Sequence, residues 1–168
     1  DYDYNWGYVA TTDGLLFGSS VRSGNFYTEG RGPWYDDSGF NNAQDSHKVL
    51  SDCLFAVDLA GNRQAWKYNG VIINSTIAIG GDQIYFVENR NPKVLQDKSR
   101  RLSGGKEWMA LHLVALDVKT GKRVWDKDMQ FEQRTPVFFS TYKDGTLIVL
   151  RSSPKSFDLR AIDANSGK

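Results

Sequence analysis

Apolar and polar positions alternate along most of the chain, in short runs broken by turn residues. LFAVDL (54–59) and HLVALDV (112–118) alternate as strands do, AGN and KTG turn, and RQAWKY and RVWDK lead back. Each reads as a β-hairpin. Three further runs, TTDGLLFGS (11–19), IGGDQIYFV (79–87) and YKDGTLIVL (142–150), each set a Gly/Asp turn before apolar, β-branched or aromatic residues and read the same way. No stretch carries a helical period. The alternation places strands near 6–11, 15–19, 53–58 and 63–68, then 73–79, 83–88, 111–117 and 123–127, then 135–141, 146–151 and 158–163.

The hairpins repeat a word. ALDVKTGKRVW (115–125) has Ala, Asp, Gly and Trp at fixed offsets; AVDLAGNRQAW (56–66) repeats Ala, Asp and Trp, with Gly61 one place early. AIDANSGK (161–168) starts a third copy, with Ala161, Asp163 and Gly167 in register. Asp58, Asp117 and Asp163 lie 59 and then 46 residues apart, near the about 40–50 residues of one propeller blade. Two hairpins per repeat make a four-stranded antiparallel sheet. The parse is blade 1 about 6–68, blade 2 about 72–128 and blade 3 about 135–168, the last lacking its fourth strand.

Ala-x-Asp-x-x-x-Gly-x-x-x-Trp resembles the tryptophan-docking motif of the quinoprotein-type, or PQQ-like, β-propeller repeat family, which includes quinoprotein dehydrogenases and non-enzymatic propellers such as the outer-membrane assembly lipoprotein. The resemblance implies an all-β fold: an incomplete segment of a larger ring of seven or eight blades. It also implies that Trp66 and Trp125 pack between adjacent blades while Asp58, Asp117 and Gly121 shape tight turns, with Asp163 and Gly167 their counterparts in the third copy. Three blades do not close a ring, so the remaining blades of the same protein or other chains are expected to complete it. A bacterial periplasmic or extracytoplasmic location is a further expectation from the family.

Composition narrows the function. Twenty-one Lys and Arg against 20 Asp and Glu leave a net charge of +1, so no global field draws the chain to nucleic acid. The apolar runs fall far short of the ~20 residues that span a bilayer, and DYDYNWGY is not a basic-then-apolar leader. Cys53 is the single cysteine, which excludes an intrachain disulfide and a cysteine metal cluster.

The connections between the second and third strands of each blade differ in length: 21–52 and 89–110 are long, 152–157 is short. In an antiparallel blade they emerge on one face, where a ligand is expected. On the first, Trp34, Tyr35 and Phe40 beside Asp36, Asp37 and Asn41 resemble an aromatic platform with a polar fork for a sugar or planar group. The blander reading, that they pin the loop to the blade, carries more weight. Glu29, Asp36, Asp37, Asp45 and His47 offer ligand atoms, yet no calcium-loop or His-Glu-x-x-His spacing occurs, so a solvated acidic loop is expected and no metal. The second connection holds Arg90, Lys93, Lys98, Arg100, Arg101 and Lys106 with Trp108 behind them. This basic cluster suits an acidic surface, a phosphate or an acidic polysaccharide; a charged face that keeps the loop solvated is the simpler alternative. Ser-Gly-Gly before Lys106 is too short for a phosphate loop.

The histidines, His47 and His112, belong to no Ser/His/Asp or Cys/His spacing, and no catalytic residue is assigned. The sequence therefore favours a non-catalytic scaffold or binding module, without cofactor, that recognises a protein or glycan through its long-loop face. The alternative implied by the family is part of a quinoprotein dehydrogenase that oxidises an alcohol or sugar with pyrroloquinoline quinone and calcium. The vicinal Cys–Cys disulfide that often flanks the cofactor in such enzymes has no counterpart beside Cys53.

Overall fold

The computed structural model describes residues 3–23, 48–98, 100–102, 105–129, 138–152 and 156–168. Its strands are β1 (Tyr4–Thr12), β2 (Leu15–Arg22), β3 (Lys48–Asp58), β4 (Arg63–Gly80), β5 (Gln83–Asn89), β6 (Arg101–Leu102), β7 (Leu111–Asp117), β8 (Arg123–Met129), β9 (Phe138–Lys143), β10 (Thr146–Ser152) and β11 (Phe157–Asp163). Two short helical pieces, α1 (Pro92–Gln96) and a 3₁₀ turn at Gly105–Trp108, lie in the β5–β7 connection, where the sequence showed no helical period. A five-residue helix is too brief to leave one. No helix among the described residues is long and apolar enough to cross a membrane.

All strand pairs are antiparallel. One path runs β1-β2-β3-β4-β5-β7-β8 with β6 added to β3, and β9, β10 and β11 form a three-stranded sheet. The β1–β2 and β9–β10 turns are Asp13-Gly14 and Asp144-Gly145, with all four residues at positive φ; this is the primed geometry that matches the strand twist. β4 departs from the sequence reading. The expected strands 63–68 and 73–79 are one continuous strand whose first half pairs with β3 and second half with β5, and Ile72 and Ile73 pair with both. Asn69-Gly70 looks like a turn in sequence, but Gly70 runs extended because its open side receives Glu88, whose Oε1 lies 2.3 Å from where a Cβ would stand. After Ile73 the strand bows out: Thr76 Oγ1 donates to Ile73 O at 2.7 Å and accepts from Val87 N at 2.8 Å, replacing the interrupted ladder.

β5 is buried on both sides. Ile84 and Phe86 join Phe17, Leu54, Ala56, Trp66, Ile72 and Val114 in one core, while Tyr85 and Val87 join Leu113, Trp125, Phe138, Leu147 and Val149 in another. Burial of both faces is what a sheet stacked between two others requires. The β9–β11 sheet is held by more than apolar contact, since Ser75 Oγ donates to Phe138 O at 2.6 Å and Ser140 Oγ to Thr76 O.

The repeated word has one geometry in both full copies. Ala56 pairs with Trp66 and Ala115 with Trp125, each followed by a register shift that turns the indole out of the ladder. Trp66 Nε1 donates to Val118 O at 2.9 Å, and Trp125 Nε1 to Ala164 O at 2.8 Å. Below them lie Gly121 (φ +66) and Gly167 (φ +69), where a Cβ would meet the indoles at 2.6 and 2.9 Å. Asp117 Oδ1 accepts from Lys119 N, Thr120 N and Thr120 Oγ1, and Asp163 Oδ1 from Ser166 N and Oγ. Asp58 Oδ1 accepts from Ala60 N at 3.1 Å. In that copy the positive φ falls on Asn62 (φ 45), four residues after Asp58, as Gly121 is four after Asp117. Gly61 is thus not a displaced motif glycine: Asn, which tolerates the left-handed region, fills the position in register.

Candidate functional site

The β5–β7 connection is a folded plate over one end of the sheets. Asn89 Nδ2 donates to Glu107 O at 2.7 Å, Arg90 N to Ala110 O at 2.9 Å and Asn91 Nδ2 to Lys106 O at 2.8 Å, which zips its two limbs together. Asn91 also caps α1, accepting from Lys93 N at 3.0 Å, with Pro92 following where its missing N–H costs nothing. β6 adds the connection to β3 through Lys48↔Leu102 and Val49↔Arg101.

Asp52, at a register shift in β3, is the fastening point. Arg22 Nε donates to Oδ2 at 2.6 Å, Arg100 Nε to Oδ1 at 2.5 Å and Tyr4 OH to Oδ2 at 3.1 Å. Arg22 Nη1 reaches on to Lys98 O, and Arg100 Nη1 to Val94 O and Leu95 O. One carboxylate thereby joins β1, β2, β3 and the connection. Burial pushes the Asp52 carboxyl up, but the hydrogen bonds from Arg22 and Arg100 outweigh it and hold the group below its ordinary 3.8.

A second ionic network spans β4 to β8. Arg90 Nη2 lies 2.7 Å from both Glu88 Oε2 and Asp126 Oδ2, Arg123 Nη1 3.1 Å from Asp126 Oδ2, and Tyr68 OH donates to Glu88 Oε2 at 3.0 Å. His112 Nδ1 is 2.8 Å from Asp126 Oδ1 and 3.0 Å from Arg90 Nη1. Burial, then the charge of Glu88, pushes the Tyr68 phenol up to about 12. Burial also opposes the Asp126 charge, and hydrogen bonds from Arg90 and His112 overcome it, keeping that carboxyl below 3.8.

Both carboxyls are depressed in the folded state, so the stability they add is present above the unfolded value near 3.8 and is lost as pH falls through the lower folded values. Thermal melts are expected to fall steeply below about pH 4 and less steeply in Asp52→Asn, which has no proton to gain there. Asp52→Ala leaves Arg22 and Arg100 facing each other and is expected to cost about 2 kcal/mol. Limited proteolysis should then cut first within the β5–β7 connection; unchanged cleavage would count against Asp52 as its fastening.

Of the residues singled out in the sequence, Trp34, Tyr35, Asp36, Asp37, Phe40 and His47 lie outside the described residues. Arg100 is engaged with Asp52, and Arg101 sits on β6 with its side chain half-buried and partnered. Trp108 is not a surface group. It is fully buried beside Phe138, with ring centroids 6.4 Å apart. Among the described residues no group of three or more His, Cys, Asp or Glu side chains gathers as metal ligands. The buried Glu88 and the half-buried Asp52 and Asp126 carboxylates are bridged by Arg22, Arg100, Arg90 and Arg123.

No protein-family model matches the chain, and no curated protein matches it. Solved structures do. The chain is similar to quinohemoprotein alcohol dehydrogenase from Comamonas testosteroni (15% identity, TM-score 0.51) and to the quinohemoprotein alcohol dehydrogenase ADHIIG from Pseudomonas putida HK5 (14%, 0.51), in each case over 95% of this chain and 19% of the other. It is also similar to BamB from Moraxella catarrhalis at 20% identity and a TM-score of 0.44, over 72% of this chain and 30% of that one. The fold is all-β: a partial β-propeller of the PQQ-like kind, built of antiparallel sheets. The chain spans about a fifth of the length of the two dehydrogenases it matches.

Proposed function

We propose that the chain is a segment of a non-catalytic propeller of the PQQ-like repeat family, with blades over about 6–68, 72–128 and 135–168, that binds a protein or glycan on its long-loop face. The observation that carries this reading is the use of charge at that face. Among the described residues, Asp52 and Asp126 each draw two guanidinium partners and fix a connection in place, so these carboxylates serve as fastenings of the face. A folded plate with exposed side chains is what a recognition surface on a rigid scaffold requires. Tyr4, Trp6 and Val9 of β1, and Phe157 and Leu159 of β11, are exposed, which supports further blades, from the same protein or other chains, covering both end sheets. An extracytoplasmic, periplasmic location belongs to the same reading.

The second reading, part of a dehydrogenase that oxidises an alcohol or sugar with pyrroloquinoline quinone and calcium, is favoured by the fold likeness to two quinohemoprotein alcohol dehydrogenases. Calorimetric titration of the intact parent protein with the quinone, with and without calcium, separates the two. No heat of binding, together with glycan- or protein-array hits that vanish when residues 92–106 are replaced by a flexible linker, is the expected result. Tight calcium-dependent quinone binding would establish the second reading instead.

A further inference from the structure

The first copy of the repeated word differs from the other two at its turn. Where Trp66 and Trp125 dock, the accepting residues Val118 and Ala164 are 0% and 1% exposed, and Gly121 and Gly167 leave room for the ring. Leu59 follows Asp58 as Val118 follows Asp117, yet it is 54% exposed, and Asn62 carries a Cβ where Gly121 has none. A Cβ on Gly121 would stand 2.6 Å from Trp66, so an indole laid on Asn62 in that pose would collide with it. A second difference lies further along the same strands. Leu15 pairs with Asp58 as Gln83 pairs with Asp117, so Gly18 and Ser20 of β2 correspond to Phe86 and Glu88 of β5. On β5 those two are met by Tyr68 of β4, whose ring lies 5.3 Å from that of Phe86 and whose hydroxyl donates to Glu88 Oε2 at 3.0 Å. On β2 both are small. Trp6 and Phe55 meet edge to face above Gly18, with centroids 5.2 Å apart, and together with Tyr4, Asn5, Ser19 and Ser20 they line a slot of about 130 Å³. Among the described residues this lining carries no charged side chain.

Resting on the reading above that a further blade covers β1, we propose that this blade is keyed to the chain by one apolar side chain that enters the slot between Tyr4, Trp6 and Phe55, and that no indole docks on the turn from Asp58 to Asn62. The contact of Tyr68 with β5 is the precedent within the chain: the entering side chain comes from the strand position that Tyr68 holds there, and the small Gly18 and Ser20 give it the space that Phe86 and Glu88 fill on β5. The aromatic walls select an apolar group, because a charged one would lose its water without gaining a counter-ion. The walls are set before the blade arrives, Trp6 by its seat on Gly18 and Tyr4 by its hydrogen bond to Asp52 Oδ2 at 3.1 Å. This junction therefore differs from the two locked by Trp66 and Trp125.

The test is hydroxyl-radical footprinting of the intact parent protein, read residue by residue by mass spectrometry, with the buried Trp66 and Val118 as references. Trp6, 58% exposed in this chain, is expected to lose its modification and fall to the level of Trp66, while Leu59 is modified as freely as in the unfolded protein. Ser20→Leu fills the slot in advance, so Trp6 should regain its modification in that variant while Trp66 and Val118 stay protected. Protection of Leu59 together with Trp6 would overturn the proposal and leave the covering blade standing, since the turn would then be a seat. Protection of Trp6 retained in Ser20→Leu, with Trp66 and Val118 protected, would also overturn it, since the slot would not be the key. Free modification of both Trp6 and Leu59 would remove the proposal and the covering blade together. Failure of the array experiment above would remove the binding-module reading and leave this footprint unchanged.

Discussion

Replacing Trp125 by alanine is expected to cost about 3–5 kcal/mol, the range for deleting a large buried aromatic. The indole seals the junction between the β4–β8 sheet and the β9–β11 sheet: it is buried, its ring lies 5.9 Å from that of Tyr85, and its Nε1 donates to Ala164 O at 2.8 Å. Alanine would open a cavity against Gly167 and leave the Ala164 carbonyl without its donor. Tyr85 is itself stacked on Tyr142 at 5.8 Å, so the void would propagate into the β9–β11 sheet. Calorimetry should show a melting temperature lower by about 10 °C, and Trp125→Phe should recover part of it by refilling the volume without the hydrogen bond. Ligand binding measured well below the melt should be unchanged. A binding defect at an unaltered melting temperature would move Trp125 from scaffold to site.

The sheets were legible because their information is local. Period-two alternation and the Asp-Gly turns locate β1–β2 and β9–β10 closely, and the spacing of Ala, Asp and Trp marks the repeat. The continuity of β4 was not, because Asn69-Gly70 has turn composition and runs extended only once Glu88 occupies the space beside Gly70. The candidate face was the least legible. Arg100 and Trp108 stand in a basic, polar stretch that reads as solvated, yet Arg100 closes on Asp52, 48 residues away, and Trp108 on Phe138. Such long-range contacts leave no periodic trace. At Asn62 the fixed interval from Asp58, rather than the residue type, marks the left-handed position.

That interval defines the other large effect. Gly121→Ala is expected to cost about 3 kcal/mol, from a left-handed backbone and a steric conflict together. At φ +66 an alanine is strained whatever surrounds it, and here its Cβ would stand 2.6 Å from the Trp66 ring. The ring has little room to retreat, since Phe17 lies 5.9 Å away on its own sheet and Trp66 Nε1 is tied to Val118 O in the same turn. Relief therefore has to come from lifting the turn off the indole, which would break that hydrogen bond and loosen the core around Ile84 and Leu116. Asn62→Gly provides the control. It keeps the left-handed residue at the corresponding position and is expected to stay within about 0.5 kcal/mol of the wild type. Denaturant melts of the two variants should differ by several-fold in free-energy change. If Gly121→Ala proved as mild as Asn62→Gly, the turn would have to be yielding, and Trp66 could not be what fixes the β7–β8 turn against β4.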